Sequence, residues 1–302
     1  MFEATAAQTL RGVDIAPLRN LADEDRTSRA RRITLAVLAA LITLTGLALI
    51  AWGPVPAGAL THQHADNRSW LGIPNAANVL VNVPIFWCAA WGWCATRTSP
   101  WTRSLRLPWQ GFHLWVMLAS LLAAMYHAAP SDAGYIASHV CSAGAALMLS
   151  FGLMAERLDR RWGAMTSCVL AALVVVAIGV ASDYEQRLGG GIDVRPFLLL
   201  QAVPLLLVVA GTLRLPPDRP RRSAWVVLLA LYAGARLLEW ADAPVFTITG
   251  WISGHTLMHA CTGLIVAWMA YRASTEVNAG IEAAGGSSGL VTQRSNWLNT
   301  SG

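Results

Sequence analysis

Eight apolar runs in series constrain what this chain can fold into: Ile33 to Trp52, then about 76–95, 111–129, 135–155, 163–182, 197–213, 224–238 and 251–271. Most approach the roughly 20 residues that a helix needs to cross the hydrocarbon of a bilayer. Backbone polar groups find no water there, so a run of this kind bonds to itself as a helix. With 55% hydrophobic and only 13% charged residues in 302, the chain is too apolar for a soluble protein of its length. The expected fold class is therefore all-α, a polytopic membrane helix bundle, with one N-terminal helix over 33–53 added to a seven-helix core over 62–272. A polar leader over 1–32 and a Gly- and Ser-rich tail over 274–302 flank it, both expected to be poorly ordered. No internal repeat is visible.

All 22 basic residues are Arg. With the N-terminus inside, eighteen of them fall in the leader, the inner loops and the tail, against Arg68, Arg187 and Arg195 outside and Arg236 within the seventh run. Positive charge gathers on the cytoplasmic side of membrane proteins, so both termini are expected in the cytoplasm and the protein in the cell's inner (plasma) membrane. The same asymmetry accounts for the net charge of +5 without nucleic acid as a partner. Ala57-Gly58-Ala59 resembles a signal-peptide cleavage site, but the preceding run is longer than a signal core, which favours an uncleaved anchor. Trp52, Trp70, Trp109, Trp162, Trp225, Trp240 and Trp251 lie near run ends and are expected as interfacial anchors. The five cysteines lack CxxC spacing and are expected as small core residues, with neither disulfides nor a thiolate metal site.

Polar chemistry concentrates in SGHTLMHA, where His255 and His259 stand four apart at the start of the last run. Four helical residues turn about 400°, so both imidazoles share one face. His127 ends the third run and His139 lies one turn into the fourth, both near the outer surface, and the short connection makes those helices antiparallel neighbours. Four imidazoles from three helices thus fall in the outer half of the bilayer, and ionisable groups at such depth mark functional sites. Three His ligands with a water form an open catalytic zinc site, whereas four close the shell. His139 decides between these, and Asp66, Ser138, Glu239 and Asp242 are candidate acceptors for the ligand rings. His113 and His127, fourteen apart on one helix, raise a haem alternative, although His255 and His259 are too close together to supply both partners. His62 and His64 precede Asp66 in the first outer loop, as a solvated turn or an outer metal site.

Four stretches resemble the bacterial alkaline ceramidases, seven-helix membrane hydrolases of the superfamily that includes adiponectin receptors: HADNRSWLGIPNAANVLVNVP (64–84), MYHAAPSDAGYIASH (125–139), GGGIDVRPFLLLQAVPLLL (189–207) and RLLEWADAPVFTITGWISGHTLMHA (236–260). The resemblance implies a ceramidase-like core and a zinc ion on His127, His255 and His259. It also implies a metal-bound water attacking the amide carbonyl of a ceramide-like membrane lipid. Glu239 and Asp242 accompany the HxxxH pair as outer-shell carboxylates. Asp66, Asn75 and Asn78 fall where the family places a calcium-binding loop, with amides partly replacing carboxylates. The family's Ser and its general-base Asp correspond to Ala123 and Ser138, so the base work is expected to pass to His139 or Asp132. The expected function is zinc-dependent hydrolysis of a lipid amide, with the site toward the exoplasmic side and the bilayer and its lipids as partners. No protein partner is indicated. A non-catalytic metal- or lipid-binding membrane protein that lost the base is the alternative, and b-type haem electron transfer a lesser one.

Overall fold

The computed structural model describes residues 16–57, 62–99, 103–215 and 222–275. The leader before residue 16, most of the cleavage-like Ala57-Gly58-Ala59 and the tail beyond 275 lie outside the described residues. Among the described residues the secondary structure is helical throughout. Helix α1 spans Ala16–Trp52, α2 Ala76–Leu80, α3 Asn82–Thr98, α4 Arg103–Ala128, α5 Asp132–Arg157, α6 Met165–Glu185, α7 Arg195–Arg214, α8 Arg222–Trp240 and α9 Asp242–Thr249. A last helix, α10, covers 254–275. Seven helical segments are long and apolar enough to cross a membrane. Helix α10, about 33 Å long at 1.5 Å per residue, lies alongside them. This is a multi-pass membrane protein.

Helix α1 begins at Ala16, well inside the segment expected as a poorly ordered leader. Residues 16–32 consist largely of Ala, Leu, Arg, Asp and Glu, and Pro17 stands in the first turn, where its missing N–H costs nothing. Local helix preference therefore extends the first span into its polar flank.

Helix α5 is the centre of the bundle, with 61% of its spanning window buried, and it packs against α4, α6 and α7. Close approach relies on small residues. At Gly144 of α5 a Cβ would stand 2.6 Å from the ring of Trp115 on α4, so only glycine lets these helices meet. Trp109 and Trp225, expected at the interface, are 3% and 0% exposed and pack against each other with ring centroids 5.9 Å apart. Trp52, Trp70, Trp240 and Trp251 are exposed as expected. Trp109 hides because its indole N–H donates to Glu156 on α5, which satisfies the polar edge inside the bundle. All five cysteines are free.

Every loop at one end of the bundle is tied to another. Val194 N–H donates to Val55 and Ala57 N–H to Ile192, so the exit of α1 is clasped to the start of α7. Asp193 fastens the clasp by accepting from Val55 N–H and pairing with Arg195 at 2.7 Å. Asp132, at the start of α5, bonds His62 and Gln186, and Asp242 bonds Ala65. All the histidines except His113 gather at this tied end.

Candidate metal centre

The site is assembled at helix ends, where backbone groups lack intrahelical partners. His127 sits in the last turn of α4, 2% exposed. Its otherwise orphaned carbonyl accepts from the Asn75 amide at 2.7 Å. Asn75 can reach it because it adopts a left-handed conformation, φ 47°, before α2.

Helix α10 begins against the end of α8 so tightly that a Cβ on Gly254 would lie 2.1 Å from the Leu238 carbonyl oxygen. Ser253 caps it by accepting from Thr256 N–H. Asp242 supplies the second acceptor at this terminus, taking His255 N–H at 2.7 Å on one oxygen and Ala65 N–H at 2.9 Å on the other. One carboxylate thus fixes the backbone beside both His64 and His255. Burial would raise the Asp242 carboxyl, but hydrogen bonds from the Ala65 and His255 N–H groups and from Ser253, with the attraction of His255, together hold the group below the ordinary carboxylate range.

The expected ligands do converge. His259 Nε2 lies 3.2 Å from the Nε2 of His127 and 3.2 Å from that of His255. Tetrahedral zinc with Zn–N bonds of about 2.05 Å has nitrogens about 3.3 Å apart. One N–H on His259 could point well at only one of these two neighbours, whereas a shared cation accepts all three lone pairs. A fourth imidazole joins them. His64 has its ring centroid 4.7 Å from His127 and 4.4 Å from His255, and the ligand atoms of these three residues lie within 4.8 Å of one another. His64, His127 and His255 form a group that could hold a metal ion. Burial pushes the His64 imidazole below its usual range, so it presents a neutral ring at pH 7. Its buried Nε2 has no hydrogen-bond partner among the described residues, as an empty ligand atom would. The donor set therefore fits a small nitrogen-preferring cation.

In the sequence alone, His64 reads equally as part of a solvated turn or as an outer metal site. The usable signal was its depth: it stands in an outer loop level with His127 and His255. What brings it inward is tertiary. Asp66 pairs bidentately with Arg68, with both contacts at 2.8 Å, and Arg68 donates to the carbonyls of Gly250 and Trp251, locking the loop over the start of α10.

The fold separates Asp132 from His139 and Ser138. His139 Nδ1 meets the Tyr135 carbonyl at 2.9 Å, and its ring stacks on Tyr135 with centroids 3.9 Å apart. A carbonyl accepts only, so Nδ1 carries the proton and Nε2 keeps a free lone pair. The Ser138 hydroxyl is turned back onto the Tyr135 carbonyl at 2.9 Å. Both residues line a cavity of about 310 Å³ that also receives His127, His255 and His259. Its walls are mainly apolar, with Phe112, Val116, Leu149, Val208 and Val266 among them. Asp132 does not line it, and its two oxygens are engaged by His62 at 2.8 Å and Gln186 at 2.9 Å. His62 passes the contact on to the Tyr126 hydroxyl at 3.0 Å. Asp132 thus braces the loop that carries His64 and stands away from the cavity. Glu239 lines the cavity and pairs with Arg236 at 2.7 Å, whereas Asp242 acts through backbone N–H groups.

Two expected sites do not fit. Calcium needs several free oxygens, but both Asp66 oxygens are taken by Arg68. The Asn75 amide donates to His127, and Asn78 is spent bonding the Asp66 carbonyl and the Thr256 hydroxyl. These residues are structural ties. A haem slot at His113 fails for lack of space, since a Cβ on Gly92 of α3 would lie 2.1 Å from the His113 ring. Helix α3 covers that imidazole directly.

The fold and the site together define a multi-pass all-α membrane protein with a buried imidazole cluster able to hold a metal ion, set beside an apolar cavity. No family model, curated protein or solved structure matches the chain.

Proposed function

We propose that this protein is a zinc-dependent hydrolase of a membrane lipid amide, as its resemblance to the bacterial alkaline ceramidases implies. The observation that carries it is the convergence of His127, His255 and His259 where an apolar cavity of about 310 Å³ meets them. A cavity of this kind takes acyl chains, and the imidazoles stand where an amide would be presented. When bound there, zinc would act as a Lewis acid on the amide carbonyl and lower the pKa of a water. In the hydrolysis a C–O bond forms, the C–N bond breaks, and the amine leaves with a proton. His139 is the proton acceptor of this proposal, since its Nε2 lone pair is fixed by the Nδ1 contact to Tyr135 and the residue lines the same cavity.

The arginine asymmetry supports placing both termini in the cytoplasm and the site toward the exoplasmic face of the plasma membrane. Purified protein is expected to hold one zinc per chain and to release fatty acid from a panel of lipid amides. His259→Ala should lose both. Protein that holds no metal and releases nothing from any amide would overturn the proposal.

Two observations favour a second function, metal or lipid binding without turnover. Four imidazoles can close the shell, and the Ser138 hydroxyl, where the ceramidases carry their base, is bonded back to its own helix. Ser138→Asp separates the two. A gain of activity from a silent parent identifies a lost enzyme, whereas a loss from an active parent identifies a base relocated to His139.

A further inference from the structure

Arg236 is the single fixed cation among the described residues lining the cavity. It lies within a membrane-spanning helix, Ser223–Trp240, where a guanidinium is costly enough that such groups serve a ligand or a partner. Glu239 takes Nη1 at 2.7 Å, and the Tyr232 ring covers the cation from 5.6 Å. A guanidinium has five N–H donors, so one carboxylate leaves several unused.

The serine and threonine hydroxyls of the lining do not compete for a ligand. Ser120, Ser138, Ser142 and Thr262 all turn their hydroxyls onto carbonyls of their own helices. Arg236 is also close to the imidazoles along the chain path. It precedes Leu238 by two residues, and the Leu238 carbonyl abuts Gly254, the neighbour of His255. Four neutral imidazoles bring no counter-charge to a divalent cation. With Arg236 added, Glu239 and Asp242 leave this end of the cavity positive. A ligand carrying its own negative charge corrects that in a low-dielectric site, and a neutral head does not.

We infer that Arg236, held by Glu239, is a carboxylate-binding group, and that the lipid amide taken by the cavity bears an acidic head of the N-acyl amino acid class. This rests on the lipid-amide function proposed above. The acyl chain lies along the apolar wall, the amide faces the histidines and the head carboxylate meets the guanidinium in a charge-assisted pair.

The test is equilibrium binding of three probes, N-oleoylglycine, N-oleoylethanolamine and oleate, to the metal-loaded full chain in phosphatidylcholine nanodiscs, with protein-free discs as reference. N-oleoylglycine should bind at least about tenfold more tightly than the ethanolamide. Arg236→Gln should erase the difference, and Arg236→Lys should keep part of it. Glu239→Gln releases the guanidinium and should tighten N-oleoylglycine, so it decides the matter if Arg236→Gln does not fold. Equal binding of acid and neutral heads, or no tightening in Glu239→Gln, overturns the inference. Oleate binding as tightly as N-oleoylglycine, with both lost in Arg236→Gln, also overturns the acidic head and assigns the carboxylate to a free acyl chain. Fatty acid release is read separately. Arg236-dependent binding without release sinks the hydrolase and spares this subsite, whereas release with no preference for the acid does the reverse.

Discussion

At the residue scale, Asp242 and His64 carry most of what distinguishes the centre. Asp242 holds no place in the ligand shell, yet its two oxygens fix the backbone beside His64 and His255. Asp242→Asn replaces one acceptor with an amide N–H₂ that faces a donor. Metal affinity, measured by competition with a chelator, should fall about 10- to 100-fold, and thermal unfolding should show a loss of about 1–3 kcal/mol. His64→Ala tests whether the loop imidazole belongs to the shell. In cobalt-substituted protein the loss of an imidazole ligand should change the visible absorption. An unchanged spectrum would exclude His64 from the ligands.

The element scale adds a pH dependence. The Asp66 carboxyl is held below its ordinary value of 3.8 chiefly by hydrogen bonds from Arg68, and that pair fastens the loop of His64 to Gly250 and Trp251. A group whose pKa is depressed on folding contributes stability that is complete above the unfolded value and lost as the pH falls through the folded one. Protection factors for hydrogen exchange in the 64–70 loop, referred to the intrinsic rate at each pH, should therefore stay flat down to about pH 4 and fall only in stronger acid. Asp66→Asn should raise exchange at neutral pH and remove the acid step. At the other side of the same end, the clasp between Val55 and Ile192–Asp193 attaches α1, which is only 11% buried over its span. Asp193→Ala should thus increase proteolysis near residue 55 while leaving the histidine cluster's metal content unchanged.

For the whole molecule, the testable quantity is orientation. In a cysteine-free background, Trp70→Cys at the histidine end should react with an impermeant maleimide added to intact cells. Arg161→Cys, at the opposite end, should react only after permeabilisation. The reverse pattern would overturn the topology expected from the arginines. The helical class, the spans and the shared face of His255 and His259 were legible in the chain because hydrophobic length and four-residue spacing are local properties, whereas the 3.2 Å approach of His127 to His259 is a long-range contact. Local signals ended where a side chain's role depends on a distant partner. Trp109 looks like an interfacial anchor until Glu156 receives its indole N–H, and Asp132 looks like a base until His62 and Gln186 occupy it.

The amino-acid sequence by itself determined that this is an all-α membrane bundle with imidazoles gathered toward one surface, because backbone hydrogen bonding in lipid permits little else. Only the tertiary structure decided that His64 joins the cluster, that Asp66, Asn75 and Asn78 are ties, and that Arg236 lines the cavity. Those outcomes depend on contacts between residues as much as 191 positions apart in the chain, from His64 to His255, and nothing in local hydropathy or spacing encodes which distant groups will meet.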